Sequence, residues 1–117
     1  MRTELPELIA LAQRLLDREE HGTLATLASA KGSSYRPLGS MMVGGPPGAV
    51  AGSVSGGCLE EYIARHGREM MRMRDAVLLS FDTGGDDEVG DTMPVLGCGG
   101  SIEVLVERLT RGHLEHL

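Results

Sequence analysis

Seventeen glycines, about twice the usual share, crowd mainly into two stretches of this chain, Gly39 to Gly57 and Gly84 to Gly100. Residues without a Cβ adopt backbone conformations closed to others and let main chain come close to a neighbour or a ligand. Any fold for this sequence must therefore put two glycine-rich passages to use. One of the two cysteines directly follows the first passage, Cys58 in Ser55-Gly56-Gly57-Cys58, and the other lies within the second, Cys98 in Leu96-Gly97-Cys98-Gly99-Gly100.

Around those passages, hydrophobic spacing divides the chain into elements. From Glu4 to Glu20, residues Leu5, Leu8, Ile9, Ala12, Leu15 and Leu16 recur at helical intervals, with Pro6 near the start and Gly22 past the end. Thr23 to Ala30 has short side chains and no helical stripe, and is expected as a strand running into a polar loop from Lys31. Ser40 to Val43 and Ala49 to Ser53 flank Gly44-Gly45-Pro46-Pro47-Gly48, a hairpin in which Pro47 and Gly48 suit the centre of a type II turn. Leu59, Tyr62, Ile63, His66, Met70 and Met73 predict a second helix over 59–73, with Glu61, Arg65 and Glu69 paired along its outer side. Ala76 to Phe81 is expected as a buried strand. Ser101 to Glu107 alternates Ile102, Val104 and Val106 with Glu103 and Glu107, the pattern of a strand with one wet face. Asp82 to Gly100 reads as a long acidic loop, and Thr110 to Leu117 shows no clear pattern. The expected fold class is α/β, with α+β as the alternative: a single domain over 1–109 with a mixed sheet of about five strands packed against two main helices, then a tail over 110–117.

A chain of 117 residues suits one hydrophobic core, and with no Trp and 3% aromatics that core must be aliphatic and methionine-rich. A formal charge of −6 opposes the phosphate attraction behind nucleic-acid binding, so nucleic acid is not an expected partner. No apolar run approaches the roughly 20 residues of a membrane span, and the first residues carry no signal-peptide pattern; a cytoplasmic protein with no membrane partner is expected. A reducing compartment favours unbridged thiols over a disulfide between Cys58 and Cys98. Neither cysteine sits in a Cys-x-x-Cys pair and the histidines lack metal-site spacing, so no metal site is expected, and His66 is read as part of the packed face of its helix. The acids between Asp82 and Asp91 match no calcium loop.

The passage from Ala51 to Glu60 runs from a strand through a glycine turn straight into a helix. On that reading Cys58 lies in the first helical turn, with Ser55 or Gly57 as the N-cap, where free N–H groups and the helix dipole favour a thiolate or a ligand phosphate. The plainer reading stays open: the glycines permit a tight turn and Cys58 is a small buried apolar residue. A second cysteine framed by glycines speaks for a shared cause. Lys31 to Gly39 offers Lys31, Arg36 and three hydroxyls that could hold an anion, or serves only as a polar connection. Walker and dinucleotide-binding fingerprints are absent.

Taken together, Gly-Ser-Ser-Tyr-Arg-Pro-Leu-Gly (32–39), Gly-Ser-Val-Ser-Gly-Gly-Cys-Leu-Glu (52–60) and Leu-Gly-Cys-Gly-Gly (96–100) resemble the XdhC/CoxI family in content and order. The resemblance implies an accessory protein that binds molybdenum cofactor (molybdopterin) and aids its maturation or delivery to the apoenzyme of a molybdenum hydroxylase such as xanthine dehydrogenase or carbon monoxide dehydrogenase. That is chaperone work more than enzymatic turnover. It further implies cofactor contacts at Cys58, Cys98, Ser55, Gly56, Gly57 and Gly99, and at Ser33, Ser34 and Arg36 of the first motif. Tyr35 stands where many relatives have proline. Longer members continue into a Rossmann-like domain, which implies a separate Rossmann-domain accessory chain as partner, or a place in a split protein; a homodimer is a further expectation. The other classes of function are an interaction domain that recognises the apoenzyme without holding cofactor, and sulfur transfer through Cys58, for which no base is evident.

Overall fold

The computed structural model describes residues 4–32, 38–46, 48–54, 59–82 and 100–116. The helices are α1 (Glu4–Asp17), α2 (Glu60–Met70) and α3 (Arg111–Glu115), and the strands β1 (Thr23–Gly32), β2 (Met41–Gly45), β3 (Ala49–Gly52), β4 (Ala76–Asp82) and β5 (Gly100–Arg108). The strands form one sheet in the order β3-β2-β1-β5-β4. The α/β class and the five strands are as expected, but the sheet is not mixed, since every pairing in it is antiparallel. Among the described residues, the helix that joins two strands is α2, and it carries the chain from β3 to β4, which lie on opposite edges and do not pair.

The two faces of the sheet are covered by different helices. Leu8, Leu11, Ala12 and Leu15 of α1 bury against Leu24, Val43 and Leu109. On the other face, Leu59 and Ile63 join Ala25, Leu27, Met42, Phe81, Ile102, Val104 and Val106. Successive strand residues point to opposite faces, which is why Leu24 and Ala25, or Val43 and Met42, serve different cores. A register shift between Leu27 and Ser29 resets this alternation in β1, so that Ala30 stands opposite Ile102 and Ser29 opposite Glu103. The Ser29 hydroxyl then donates to Glu103 Oε1 at 2.9 Å.

Several sequence expectations shift here. The buried stripe of α1 includes Leu11 and leaves Leu5 exposed, a rotation of the expected face. The helix closes before Gly22, through Glu19 at φ 57°, with Glu20 N–H donating to Leu15 O and Glu19 N–H to Leu16 O, the Schellman pattern. α2 is shorter than predicted, and Met73 beyond it is 90% exposed. His66 is exposed, its ring 4.4 Å from that of Tyr62, and is not part of the packed face. Arg65 pairs with Glu61 at 2.9 Å as expected, whereas Glu69 pairs with Arg72. β4 is not buried: it is an edge strand with Leu78 52% exposed, because α2 packs on β1, β2 and β3 and α1 on β2 and β3. The β2–β3 hairpin is present, but Gly48 N–H donates to Gly45 O at 2.8 Å, so the turn begins one residue earlier than predicted.

The C-terminal stretch without sequence pattern contains α3. Its N-cap Thr110 accepts from His113 N–H while the His113 ring accepts from Thr110 N–H at 3.1 Å, a reciprocal cap that can order a single turn. Arg111 pairs with Asp17 at 2.9 Å and Leu114 packs on the α1 side. Among the described residues, no helix is long and apolar enough to cross a membrane.

Where β1 begins, His21 lines a cleft with Glu19, Glu20, Arg68 and Arg108. Burial first, then the Arg108 and Arg68 guanidinium groups, hold its imidazole below the ordinary value of 6.5, against the opposing pull of a hydrogen bond with the Gly67 backbone. The unfolded chain therefore takes up this proton before the folded one. The His21 contribution to stability is complete above pH 6.5 and is lost as pH falls from there through the depressed folded value. Urea midpoints measured downward from neutral pH should decline faster for the wild type than for His21→Gln; parallel curves would refute this assignment.

Candidate functional site

The sequence-predicted site residues Ser33, Ser34, Arg36, Ser55, Gly56, Gly57, Cys58, Cys98 and Gly99 lie outside the described residues. What the structure describes is the frame from which their segments depart and to which they return. Gly32, the last residue of β1, stands opposite Gly100, the first of β5, and Asp82, the last of β4, stands opposite Ser101. The segments 33–37 and 83–99 therefore depart from, and the second returns to, the same end of three adjacent strands.

Helix α2, which follows 55–58, approaches that end from its own face of the sheet. Ala30, Ile102 and Phe81 lie in one row across β1, β5 and β4. Tyr62, in the first turn of α2, sets its ring edge-on to Phe81 with centroids 6.5 Å apart. Val54 and Leu59, which bound 55–58, are fully buried in the same core. β1 and β4 end, β5 begins and α2 starts toward one end of the molecule, while Thr23, Gly67 and Arg108 mark the other; β3 runs in the direction of the first end but stops at Gly52, opposite Met42 and so level with Ala25.

The start of α2 differs from the expected one. Its N-cap is Leu59, with no capping side chain, so Cys58 precedes the N-cap and is not in the first turn, and neither Ser55 nor Gly57 is the cap. The satisfying group comes from inside the helix. Glu60 is 6% exposed and turns its carboxylate back over the helix start. Its Oε2 accepts from the Ser53 hydroxyl and from Val54 N–H, both at 2.7 Å, and its Oε1 accepts from Leu59 N–H at 3.2 Å. A buried carboxylate is costly unless hydrogen-bonded, and bonds to a charged acceptor contribute about 1.5–3 kcal/mol each, so these three offset its burial.

Glu60 and Ser53 are the functional candidates that sequence reasoning passed over. The available signal was slight: an acid at a helix start, seven residues after a serine, with glycines between. Only the fold shows that one carboxylate binds both sides of the 55–58 segment. Such a tie meets the ordering cost of a segment during folding instead of during ligand binding. Among the described residues, no group of three or more His, Cys, Asp or Glu side chains is arranged to hold a metal ion.

Comparison with known proteins gives consistent matches. Residues 15–82 match the profile of the XdhC and CoxI family. The chain is 32% identical over 102 residues to a probable xanthine dehydrogenase subunit from Bacillus subtilis (strain 168), covering 87% of this chain and 31% of that protein. It is 33% identical over 108 residues to the molybdenum cofactor insertion chaperone PaoD of Escherichia coli (strain K12), again covering 87% of this chain and 31% of the relative. A crystal structure described as a xanthine dehydrogenase from Bacillus halodurans superimposes with a TM-score of 0.68 at 30% identity, covering 92% of this chain and 33% of the other. This chain thus spans about a third of the length of the proteins it matches.

Proposed function

The chain belongs to the XdhC and CoxI family, and from that premise we propose that it is an accessory protein that binds molybdenum cofactor and aids its maturation or insertion into a molybdenum hydroxylase of the xanthine dehydrogenase type. The observation that supports this reading is that the described ends of the first and third motifs pair at Gly32 and Gly100, and that α2, which Glu60 ties to Val54, begins with Tyr62 against Phe81 in a nearby row of the same strands. The donor set suits the group chemically. A pterin dithiolene and its phosphate ask for soft sulfur, N–H donors and a cation, and the motif-bearing stretches carry Cys58 and Cys98, the glycines Gly56, Gly57 and Gly99, the hydroxyls Ser33, Ser34 and Ser55, and Arg36. When bound, the cofactor supplies the molybdenum centre destined for the apoenzyme; this chain's residues hold and protect it.

A second reading is that this domain recognises the apoenzyme while cofactor is held elsewhere, by a Rossmann-like domain; the matched region is about a third of each relative. The test is retention of added molybdenum cofactor through gel filtration, read by pterin fluorescence, for wild type and Cys58→Ser. The variant should keep stability within about 1 kcal/mol of wild type, as a mild substitution does, yet lose most retention. Unchanged retention by the folded variant would remove Cys58 from the site. No retention by wild type, with or without a Rossmann-domain companion, would replace cofactor binding with the interaction role.

A further inference from the structure

We propose that Glu60 is the positioning residue of the Cys58 segment, its buried carboxylate anchoring Ser53 and Val54 on one side and Leu59 on the other. The inference rests, for its functional meaning, on the reading that Cys58 belongs to the cofactor site; the anchoring itself rests on geometry. Glu60 Oε2 receives two donors at 2.7 Å from the chain entering the segment, and Oε1 receives Leu59 N–H at 3.2 Å from the chain leaving it. Its position is fixed in turn by α2, whose first turn closes with Ile63 N–H donating to Leu59 O at 2.9 Å and packs Leu59 and Ile63 into the core. One rigid element therefore sets both ends of 55–58.

Two carboxylate oxygens with donors on each side have no neutral equivalent. In Glu60→Gln the side chain keeps its size, but one oxygen becomes an NH2 group that faces donors whichever way the amide is turned. One end of the segment is released while the core around α2 keeps its volume. Ser53→Ala removes the hydroxyl bond to Glu60 Oε2 and leaves the Val54 and Leu59 N–H bonds to Glu60, so it should act in the same direction, less strongly.

The experiment measures alkylation of Cys58 and Cys98 by iodoacetamide, residue by residue, by mass spectrometry of the full chain. Cys98 lies in a different segment and serves as the internal control. Glu60→Gln should alkylate Cys58 about tenfold faster than wild type, the loss expected for one charge-assisted bond governing a local opening, with Cys98 within about twofold. Ser53→Ala should give a smaller, equally selective increase. An unchanged Cys58 rate in folded Glu60→Gln would overturn the proposal, as would an equal rise at both cysteines, the mark of a residue that only stabilises the domain. If Glu60→Gln does not fold, Ser53→Ala carries the test alone, and a non-selective or absent change there overturns it. Selectivity in a protein that retains no cofactor would leave the anchor standing and sink the proposed function; cofactor retention without selectivity would do the reverse.

Discussion

Alanine at Gly52 is expected to cost about 3 kcal/mol of folding stability, the sum of two independent penalties. Gly52 has φ +82°, a conformation that costs an L-residue roughly 1–2 kcal/mol. Its added Cβ would also stand 2.4 Å from Met41 O and 3.1 Å from Met42 Cα, main-chain atoms of the paired strand that cannot swing aside as a side-chain tip can. Overpacking of this kind typically costs a further 1–3 kcal/mol. Because Gly52 immediately precedes Ser53, the distortion should also disturb the Ser53–Glu60 bond and lower cofactor retention. Urea unfolding checks the first part: a loss below about 1 kcal/mol would mean that the β3 end is far more pliable than its register implies.

The second large effect is a change of sign. On an exposed helix, Gly to Ala gains about 1 kcal/mol. Gly67, in the buried face of α2, should instead lose about 2 kcal/mol as alanine, since its Cβ would lie 2.2 Å from Thr23 Oγ1 and 3.1 Å from Thr23 Cβ. Thr23 is buried on β1, and its branched side chain has little freedom to turn away. In a Thr23→Ala background the same Gly67→Ala step should be neutral or favourable, giving a coupling of about 2 kcal/mol in a double-mutant cycle. Additivity of the two substitutions would show that α2 does not sit at this distance from β1.

Helix α2 and strand β5 could be read directly because each obeys one period. Ile63 at the helical spacing, and Ile102, Val104 and Val106 at the strand spacing, are buried where the pattern put them. Where the reading failed, a local pattern was overruled by a neighbour. Ala76 to Phe81 is apolar enough for a central strand, but its place at the sheet edge beyond the helices leaves Leu78 wet. His66 and Met73 fit the helical stripe on paper, yet α2 stops at Met70 and turns its packed side elsewhere. α3 is five residues long, too short for any period to register, and owes its order to its cap and to Arg111–Asp17.

For the proposed site, the order of residues along the chain is enough to show the candidate groups, the glycine-framed cysteines and the Gly-Ser-Ser-Tyr-Arg segment, and the family that these motifs resemble. The groups are read from residue order and the family from resemblance, and no fold is needed for either. Packing in three dimensions was needed to place the ends of two separate motifs, Gly32 on β1 and Gly100 on β5, side by side at one end of an antiparallel sheet, since strand order is set by contacts between residues as far apart as these. Packing also settled that helix α2 has Leu59 as its N-cap residue and that its own Glu60 accepts from Leu59 N–H. A carboxylate's choice between water and buried N–H groups depends on what surrounds it in space, and the surroundings of Glu60 are assembled only when Ser53 and Val54 fold back against it.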